Sequence, residues 1–407
     1  MFKKLMMLSW RNVMRNKRRT IITGIAIGAG LASLMFSDAL FVGMTAHMVG
    51  STTCTWMGDA QIHRAGFRET ARISYTIEDP VRVQSMLAAD TLVVASTGRL
   101  ISPASLQSAM EMKPVTLMGV NHLTESQISM LEVAIDTGSY LSGDSMEIII
   151  GYKLAEDMEL ALGDIAVITA AMADSGFASQ MFMVSGICKF GSDQYDRYTA
   201  YVNIESAESL LGLKGELHEI AIRFPDPMIA MNPDLTFYST FSPDSNTAEG
   251  WPTLAPQIAS MLGMVNVSLS IMAVILFGLV LFGIINSLFM SVYERMYEFG
   301  IMKAVGTSKL NITVMVLLEA FWLGVVGSVL GAVFGFAIIE YYASAGITFG
   351  DITLSGVMFD KPLYTIIDWS RIWIYPIATL LFTTLAGLYP GIHAGNLNPS
   401  EAIRKSI

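Results

Sequence analysis

Four long apolar runs divide the chain, and each has about the length of a membrane-spanning helix. They cover residues 20–44, 261–292, 312–342 and 372–390. A transmembrane helix needs about 20 consecutive, mostly apolar residues to cross the hydrocarbon core of a bilayer. The second and third runs are longer than this, so we expect their helices to tilt or to extend beyond the membrane. The pattern predicts a membrane α-helical protein with four transmembrane helices.

The residues between the first and second runs show the short alternating patterns of β-strands, with helical stretches among them. One helix is predicted to start at Asp79 with Pro80 in its first turn, and another covers Glu205–Leu211 and ends at Gly212. Residues 225–256 contain six prolines and little periodicity, which indicates a connector returning to the membrane. The predicted strands are Ala60–Arg64, Val93–Leu100, Val115–Val120, Glu147–Ile150, Ile165–Ala170, Phe182–Phe190, Thr199–Asn203 and Leu217–Phe224. This segment is therefore predicted to be a large α+β domain inserted between helices 1 and 2.

The first residues of the chain predict a helix that lies on the membrane surface. Phe2, Met6, Trp10 and Val13 fall on one helical face, while the basic residues of the segment fall elsewhere. Such a helix can bury its apolar side at the lipid interface and turn its basic side to anionic lipid. A plain topology signal is the alternative. The first span lacks a small-x-small cleavage site, so we expect an uncleaved anchor.

Charge places these segments across the membrane. Only 15% of the residues are charged, against about 25% in an average soluble chain. Residues 47–260 hold 11 Lys and Arg against 26 Asp and Glu, whereas the rest of the chain is net positive. Because basic residues stay on the cytoplasmic side, the acidic domain is predicted outside. Arg295 and Lys303 mark the loop after the second span as cytoplasmic, and Arg404 and Lys405 do the same for the C-terminus.

Together these patterns divide the chain into nine predicted segments. In chain order they are the cytoplasmic amphipathic N-terminal helix (1–19), the first transmembrane helix (20–46), the extracytoplasmic domain (47–260), the second transmembrane helix (261–292), a cytoplasmic loop (293–311), the third transmembrane helix (312–343), an extracytoplasmic loop (344–370), the fourth transmembrane helix (371–391) and a cytoplasmic tail (392–407).

No signature of catalysis occurs in the sequence. The phosphate loop G-x-x-x-x-G-K-[ST] and the motifs H-E-x-x-H and G-x-S-x-G are missing, and the five histidines show no metal-ligand spacing. We therefore expect no enzyme activity, no metal and no cofactor in this chain. A nucleic-acid role is excluded because the soluble-looking segment is acidic. Cys54 and Cys188 allow one disulfide or two free thiols, and both alternatives stay open.

Several stretches of the sequence resemble the MacB/FtsX-like permeases of ABC transporters. They are LSWRNVMRNKRRTIITGIAIGAGLA at 8–32, IIIGYKLAEDMELALGDIAVITA at 148–170 followed by FMVSGI, ERMYEFGIMKAVGTSKLNI at 294–312, and YPGIHAGNLNPSEAIRK at 389–405. The third stretch contains the run E-x-G-x-x-(K/R)-A-x-G that recurs in this family after its second span. The tail departs from the family at Gly391 and His393, where Ala and Arg are usual.

The resemblance implies a transport subunit that hydrolyses no ATP itself. A cytosolic ABC ATPase dimer would bind ATP and magnesium, and a second permease chain, identical or different, would complete the complex in the bacterial inner membrane. In layout the chain resembles the lipoprotein-releasing permeases most closely, because macrolide exporters of this type carry a fused ATPase and cell-division members have a smaller outer domain.

The function implied by this resemblance is extraction or export of a lipid-anchored or amphipathic substrate. Lipoprotein release is the foremost form of it, and a periplasmic carrier or adaptor is a further implied partner. Two alternatives stay open. One is a mechanotransmitter that activates an extracytoplasmic hydrolase without transport, and the other is an efflux or export permease of a tripartite system.

The cytoplasmic loop is the predicted contact with the ATPase. A short helix lying in a groove of the ATPase could transmit its closure to the spans, with charged side chains at the rim. The residues predicted to form its apolar surface are Tyr293, Met296, Tyr297, Ile301 and Met302. An ordinary interfacial loop is the alternative. The predicted ATPase-coupling residues are Glu294, Arg295, Glu298, Ile301, Met302 and Lys303.

Two further sets of residues are predicted within the membrane. Gly327, Gly331 and Gly335 recur every fourth residue and predict close helix packing. Glu319 lies near the cytoplasmic end of the same span, where a buried hydrogen bond and a functional role explain it equally well. A cleft for acyl chains is predicted at the outer ends of the first two spans, with ordinary packing as its alternative. Its residues are Phe41, Met44, Met48, Met261, Met264, Val265 and Leu269.

Overall fold

The computed structural model describes residues 2–174, 176–243, 245–348, 352–354, 357–359 and 362–398. The basic pair Arg404 and Lys405, which predicts a cytoplasmic tail, lies outside the described residues. Within these ranges the chain forms two compact units. A helical unit comprises residues 2–45, 262–348 and 362–398, and an inserted unit comprises residues 46–261, 352–354 and 357–359.

The helices of both units are numbered along the chain. In the described residues they are α1 (Phe2–Arg15), α2 (Lys17–Thr52), α3 (Phe67–Thr70), α4 (Pro80–Ala89), α5 (Tyr152–Asp157), α6 (Asp193–Tyr198), α7 (Ile204–Leu211), α8 (Thr236–Phe241), α9 (Trp251–Leu254), α10 (Pro256–Glu294), α11 (Met296–Ala304), α12 (Lys309–Ala345), α13 (Ile374–Ala386) and α14 (Leu388–Asn396). A π-helical turn, Thr53–Met57, continues α2, and 3₁₀ turns occupy Glu125–Gln127 and Pro227–Met231.

The four predicted transmembrane helices are confirmed as helices long and apolar enough to cross a membrane, within the described part of the chain. They are α2 with its π-helical extension, α10, α12, and α13 with α14. The last one is interrupted at Gly387. Pro390 explains this break, because it has no N–H to donate to the carbonyl of Ala386 and its ring crowds that carbonyl.

The inserted unit is built on a mixed sheet. In the part of the chain that the structure describes, its order is β10-β1-β9-β2-β3-β8-β5-β7-β4, with β6 pairing with β2 and β7. In a separate sheet, β11 pairs antiparallel with β12. The strands are β1 (Ala60–Arg64), β2 (Ala95–Gln107), β3 (Met112–Val120), β4 (Ile135–Gly138), β5 (Glu147–Gly151), β6 (Ile165–Ala171), β7 (Phe177–Cys188), β8 (Thr199–Asn203), β9 (Glu219–Arg223), β10 (Asn246–Gly250), β11 (Ile352–Leu354) and β12 (Val357–Phe359).

All the predicted strands are present, and the α+β assignment is confirmed, but β4, β10, β11 and β12 were not predicted. The prediction of a connector over residues 225–256 is wrong at β10, which pairs antiparallel with β1. Its buried positions are Asn246, Ala248 and Gly250. These residues are small or polar, so the strand lacks the apolar alternation by which strands are recognised. The Asn246 side chain donates to the backbone carbonyl of Glu78 at 3.0 Å.

The two faces of the sheet carry separate apolar cores. One face packs against α5 and α7 through side chains such as Ile150, Val202 and Leu210. The opposite face carries Cys188 and Tyr201. Alternate residues of β5 and β8 point to opposite sides, as the pleat of a strand requires.

A fully buried arginine, Arg99 on β2, lies beneath the π-helical turn that ends the first long helix. Its guanidinium donates two hydrogen bonds to Glu125, at 2.9 and 2.6 Å, and one to Glu219 at 2.6 Å. It also donates to the carbonyl of Trp56 at 2.8 Å and lies 3.7 Å from the centre of that indole ring. Glu219 is in turn 3.2 Å from Nε2 of His63. The network therefore links β2 to the π-helical turn, to the 3₁₀ turn at Glu125 and to Glu219, and most of its polar atoms are hydrogen-bonded.

Candidate functional site

The candidate site is the short helix α11 and the side chains that hold it. Helix α10 ends at Glu294, Arg295 leaves the helical conformation with φ −112° and ψ 17°, and α11 begins at Met296. Gly306 ends the segment with φ +98°, a left-handed conformation that glycine adopts without strain. Ser308 then caps α12 by accepting a hydrogen bond from the backbone N–H of Asn311 at 3.3 Å. The chain therefore places a separate helix between two membrane spans.

One face of α11 is anchored in an apolar cluster. Phe299 is buried and belongs to a cluster with Val292, Met315 and Ala394, contributed by α10, α12 and α14. Met302, predicted to line the exposed apolar surface, is partly buried and packs against this cluster. The helix is consequently held on its inner face by three neighbouring helices.

On the side away from this cluster, exposed apolar side chains recur at every fourth position along α11 and just beyond its two ends. Tyr293, Tyr297, Ile301 and Val305 are between 43% and 82% exposed, and Val305 is the most exposed of them. Residues four apart on a helix lie on the same face, as Tyr297 and Ile301 do on α11. Tyr293 lies at the end of α10, and Val305 directly follows α11. We call these four residues the apolar stripe. Val305 was not predicted from the sequence, although its spacing from Ile301 is a signal that could have identified it.

Arg295 departs from its predicted position at the rim. The residue is only 7% exposed, and its guanidinium donates to Glu319 at 2.5 Å and to Glu298 at 2.8 Å. It also lies 5.1 Å from the centre of the Phe299 ring. Burial alone would lower the pKa of the guanidinium, but the charges of Glu319 and Glu298 and the hydrogen bonds to both together outweigh it, and the pKa is raised. Arg295 therefore stays charged, and its contacts are with residues of the same chain.

The two glutamates beside it do lie at the surface, and both contact the N-terminal segment. Glu298 is 44% exposed at its side chain and pairs with Arg15 at 3.1 Å. Glu294 forms an ion pair with Arg19. Partial burial tends to raise the pKa of Glu298, but the hydrogen bonds and charges of Arg295 and Arg15 together outweigh this, and the pKa is lowered. Glu298 therefore joins α11 to α1, and Glu294 joins the end of α10 to the start of α2.

Lys303 also departs from its predicted rim role. Its ammonium donates to the backbone carbonyls of Gly395, at 2.9 Å, and Leu397, at 2.5 Å, at the end of α14. The last carbonyls of a helix have no partner within the helix, and a lysine is a suitable donor to them. The sequence gives no signal for this contact, because it joins residues more than ninety positions apart.

The predicted glycine row lies against the first span. A Cβ on Gly331 would come within 2.7 Å of the Gly28 carbonyl oxygen, and one on Gly327 would be 2.5 Å from Ile27. At Gly335 the nearest atom would be Sδ of Met35 at 3.2 Å. Helices α2 and α12 are thus close enough that larger side chains would clash.

A second glycine row, not predicted from the sequence, brings the fourth span onto the third. A Cβ on Gly387 would lie 2.6 Å from Cβ of Ala320, and one on Gly395 would lie 2.7 Å from Oγ1 of Thr313. Gly391 stands between them, and its carbonyl accepts a hydrogen bond from Thr313 at 3.1 Å. The glycine at position 391, where the resembling family usually has alanine, therefore serves a close helix contact.

The residues predicted to form an acyl-chain cleft differ in exposure. Met264 is 72% exposed, while Met48 is completely buried and lines no open surface of this chain, contrary to the prediction. The residues of the set that are partly buried are Phe41, Met44, Met261, Val265 and Leu269. The second span is the least covered: 6% of its apolar segment is buried within the described chain, against 33% to 44% in the other spans.

An open apolar cavity of about 600 Å³ lies elsewhere, between α2 and α12. It was not predicted. The residues that line it are Ile25, Gly28, Ala29, Ala32, Ser33, Phe36, Leu330, Phe334, Ile338 and Tyr342. Its position on the first and third spans separates it from the cleft predicted on the first and second.

The remaining candidate groups have structural partners. Cys54 and Cys188 are free thiols, so the alternative of a disulfide does not hold in this structure. Burial raises the pKa of the Cys188 thiol. His218 accepts from the backbone N–H of Ile101 and donates to the carbonyl of Ile73. Across the described residues, no group of His, Cys, Asp and Glu is placed to hold a metal ion.

Comparisons with known proteins agree with the sequence motifs. Residues 270–399 match the family model of the FtsX-like permease C-terminal region. An uncharacterized ABC transporter permease of Methanocaldococcus jannaschii is 25% identical over 66% of this chain and 65% of that protein. The lipoprotein-releasing system transmembrane protein LolC of Xylella fastidiosa is 20% identical over 76% of this chain and 78% of that protein. The macrolide export ATP-binding/permease protein MacB of Campylobacter jejuni is 22% identical over 98% of this chain and 61% of that protein.

The chain thus spans slightly less than two thirds of the first and third of these relatives, and about three quarters of the second. The matches confirm the resemblance drawn from the sequence motifs.

Proposed function

We propose that this chain, a member of the ABC transporter permease family with an FtsX-like C-terminal domain, is a permease subunit that docks a separate cytosolic ATPase dimer through α11. The ATPase would bind ATP and magnesium, and a second permease chain would complete the complex in the inner membrane. Lys17 and Arg18 are exposed at the start of the first span, which supports cytoplasmic termini. The inserted unit is then extracytoplasmic.

The apolar stripe carries this proposal. Interfaces between proteins have an apolar centre and a polar rim, and the stripe is flanked by the partly exposed carboxylates of Glu294 and Glu298. The opposite face of α11 is anchored by Phe299, so a force applied to the stripe moves the helix as a body. This arrangement suits a helix that seats in a groove of the ATPase.

The proposed substrate is a lipid-anchored or amphipathic molecule, most specifically an acylated protein to be released from the membrane. Acyl chains leaving the outer leaflet sideways need an apolar surface open to lipid. Helix α10 exposes Met264, Val267 and Ile271 in its first half, and methionine adapts to irregular apolar surfaces. Activation of an extracytoplasmic hydrolase and export through a tripartite system are the alternative outcomes of the tests below.

The docking test replaces one residue of the stripe. Ile301→Glu puts a charge in the apolar centre, and we expect at least about a tenfold loss of co-purified ATPase, because a central interface residue contributes about 1–2 kcal/mol or more. The matched control is Ile165→Glu on β6, an isoleucine of the inserted unit that is 63% exposed, against 43% for Ile301. This control should co-purify with the ATPase as the wild type does. Normal capture by the Ile301 variant would contradict the docking role.

Turnover supplies the second readout of the same preparation. The purified permease alone is expected to hydrolyse no ATP, and the wild-type complex is expected to hydrolyse it. Substantial turnover by the isolated permease would overturn the division of labour between the two chains.

The substrate test uses Met264→Arg. The arginine can extend to the membrane interface and leave the fold intact, yet it places a cation on the surface proposed for acyl chains. With a triacylated lipoprotein in proteoliposomes, we expect normal assembly but lost release. Release that persists in the assembled variant would place the cleft elsewhere. A wild-type complex that hydrolyses ATP but releases no lipoprotein would favour the mechanotransmitter or the efflux role.

A further inference from the structure

Helices α1 and α12 and the junction between α10 and α11 meet at one carboxylate oxygen near the cytoplasmic end of the third span. Oε1 of Glu319, on α12, accepts a hydrogen bond from Arg295 at 2.5 Å and another from the side-chain amide of Asn12 at 2.8 Å. Glu319 is buried. By contrast, Glu340 at the other end of the same helix is exposed. A buried carboxylate is costly unless it is paired and hydrogen-bonded, so Glu319 depends on both partners.

Each partner belongs to an element that would move with the ATPase or with the membrane. Arg295 is the non-helical residue between α10 and α11, so any displacement of α11 passes through its backbone. Asn12 lies on α1, which is also attached to α12 by a hydrogen bond from Ser9 to the Met315 carbonyl at 3.0 Å. Trp10 adds a ring contact with Trp322 of α12 at 4.6 Å. Helices α1 and α12 are therefore held together on both sides of Glu319.

We call Glu319 together with its partners Arg295 and Asn12 the joint. The surroundings of the joint are polar and not closely packed. A cavity of about 30 Å³, lined by Asn12, Arg295, Glu319, Ser287 and Ser291 among others, borders it. A packed apolar core resists displacement because its side chains interdigitate at high density. Hydrogen bonds around a small polar cavity can instead tilt while their partners stay in contact. The joint can thus transmit a movement without being rigid.

We propose that Glu319 is a positioning residue that transmits the displacement of α11 to α12 and α1 together, through Arg295 and Asn12. The proposal rests on the proposed docking of the ATPase at α11. It gives the buried carboxylate a role in coupling, and it adds the N-terminal helix to the coupling apparatus. Without the joint, the ATPase would still bind α11, but the displacement of α11 would not reach α12 and α1.

Hydrogen exchange of the intact complex in nanodiscs tests this, with ATP plus vanadate compared with no nucleotide. In the wild type we expect nucleotide-dependent changes both in α11 and in distant segments, namely α12 and the strands of the inserted unit. In Glu319→Gln the change in α11 should persist, while the distant changes should fall at least about fivefold, the lower end of a typical coupling between two sites. Glu319→Asp, which keeps the charge, should restore at least half of the distant response.

Two controls keep a structural defect apart from a coupling defect. Glu340→Gln changes the same residue type on the same helix at an exposed position and should respond as the wild type. Arg295→Gln/Glu319→Gln removes both buried charges together, so it avoids an unpaired ion and should insert and assemble even if the single variant does not. It should show the same loss of the distant response.

The outcomes separate this proposal from the one on which it rests. An unchanged distant response in an assembled Glu319→Gln or double variant overturns the positioning role and leaves the docking of the ATPase intact. A wild-type complex without any nucleotide-dependent change in α11 overturns the docking itself.

Discussion

Two buried arginines, one in each unit, form similar networks of ion pairs that differ in their exposure to solvent. Arg99 in the inserted unit and Arg295 in the helical unit each contact two glutamates and one aromatic ring. Both glutamates of Arg99 are buried, whereas one of the two glutamates of Arg295, Glu298, is 44% exposed at its side chain. The first network is closed within the protein, and the second reaches the surface.

This difference indicates what each network can do. A closed, fully paired network in a low dielectric is strong, and it specifies one arrangement of the elements that it joins. Arg99 accordingly holds β2 to the turn at Trp56 and to Glu219 on β9. A network that ends at the surface can be altered by a partner that touches its outer member. Arg295 is therefore suited to coupling and Arg99 to rigidity.

The largest expected effect is the removal of the closed network's cation. Arg99→Met leaves Glu125 and Glu219 buried without their counter-charge, which costs about 3–5 kcal/mol when one partner of a buried pair is removed. Hydrogen exchange of β2 and β9 in the full-length protein should show this loss of opening free energy. Arg68→Met breaks the partly exposed pair with Glu249 and should cost at most about 1 kcal/mol. Equal effects of the two variants would contradict the comparison.

Sequence patterns predicted the elements of both units but not these networks. Alternation gave β1 and β8 with their observed bounds, because each has apolar residues where a strand needs them. Strand β10 was not predicted because its buried residues are small or polar. The partners of Arg295 and Glu319 could not be predicted, since the contact of Glu319 with Asn12 joins residues 307 positions apart. Local patterns carry no information about such distant pairs.

The same limit applies to the candidate site. The family motif led to the correct segment for a helix between two spans, at 294–312. Of the five residues predicted to form its apolar surface, Tyr293, Tyr297 and Ile301 are exposed, whereas Met302 packs against the inner cluster. The charged residues of the motif were all expected at the rim. Burial of Arg295 depends on α12, and the contact of Lys303 depends on α14, so neither follows from the segment alone.

The second prediction concerns the dependence on pH of the closed network around Arg99. Burial raises the pKa of Glu219, but the hydrogen bond from His63 and the charge of Arg99 outweigh it, so the pKa lies below its usual 4.5. Its contribution to stability is therefore complete above about pH 4.5 and is lost as the pH falls through the lower, folded value. We expect the inserted unit to lose opening free energy below about pH 4.5.

Glu219→Gln isolates this contribution. The variant should be less stable than the wild type at neutral pH, by about 1–3 kcal/mol for a buried hydrogen-bonded group that loses its charge. The difference between variant and wild type should shrink as the pH is lowered, because the wild-type carboxylate is then protonated too. A difference that stays constant from pH 7 to pH 3 would show that the Glu219 charge does not take part.

The third prediction concerns the attachment of α11 to the last helix. Lys303→Met removes the donor to the carbonyls of Gly395 and Leu397. We expect the end of α14 to lose about 1.5 kcal/mol of protection, the lower end of the range for hydrogen bonds that involve a charged group, because these bonds are only partly buried. Exchange of the amides in α14 measures this. Lys309→Met, at the neighbouring exposed lysine, should leave α14 unchanged. Loss of protection in both variants would indicate a general effect of charge.

The smallest effect on stability is expected at the exposed end of the open network. Glu298→Gln weakens the pair with Arg15, whose side chain is also exposed, and exposed pairs contribute about 0–1 kcal/mol. Helix α1 remains attached through Ser9 and Trp10, so its protection from exchange should change little. Salt separates the contribution of the charge from that of packing, because surface pairs are screened within about 3 Å at 1 M ionic strength. We expect protection of α1 to fall with added salt in the wild type and to be insensitive to salt in the variant. A strong dependence on salt in both proteins would mean that other charges hold α1, and that Glu298 is not the exposed end of the Arg295 network.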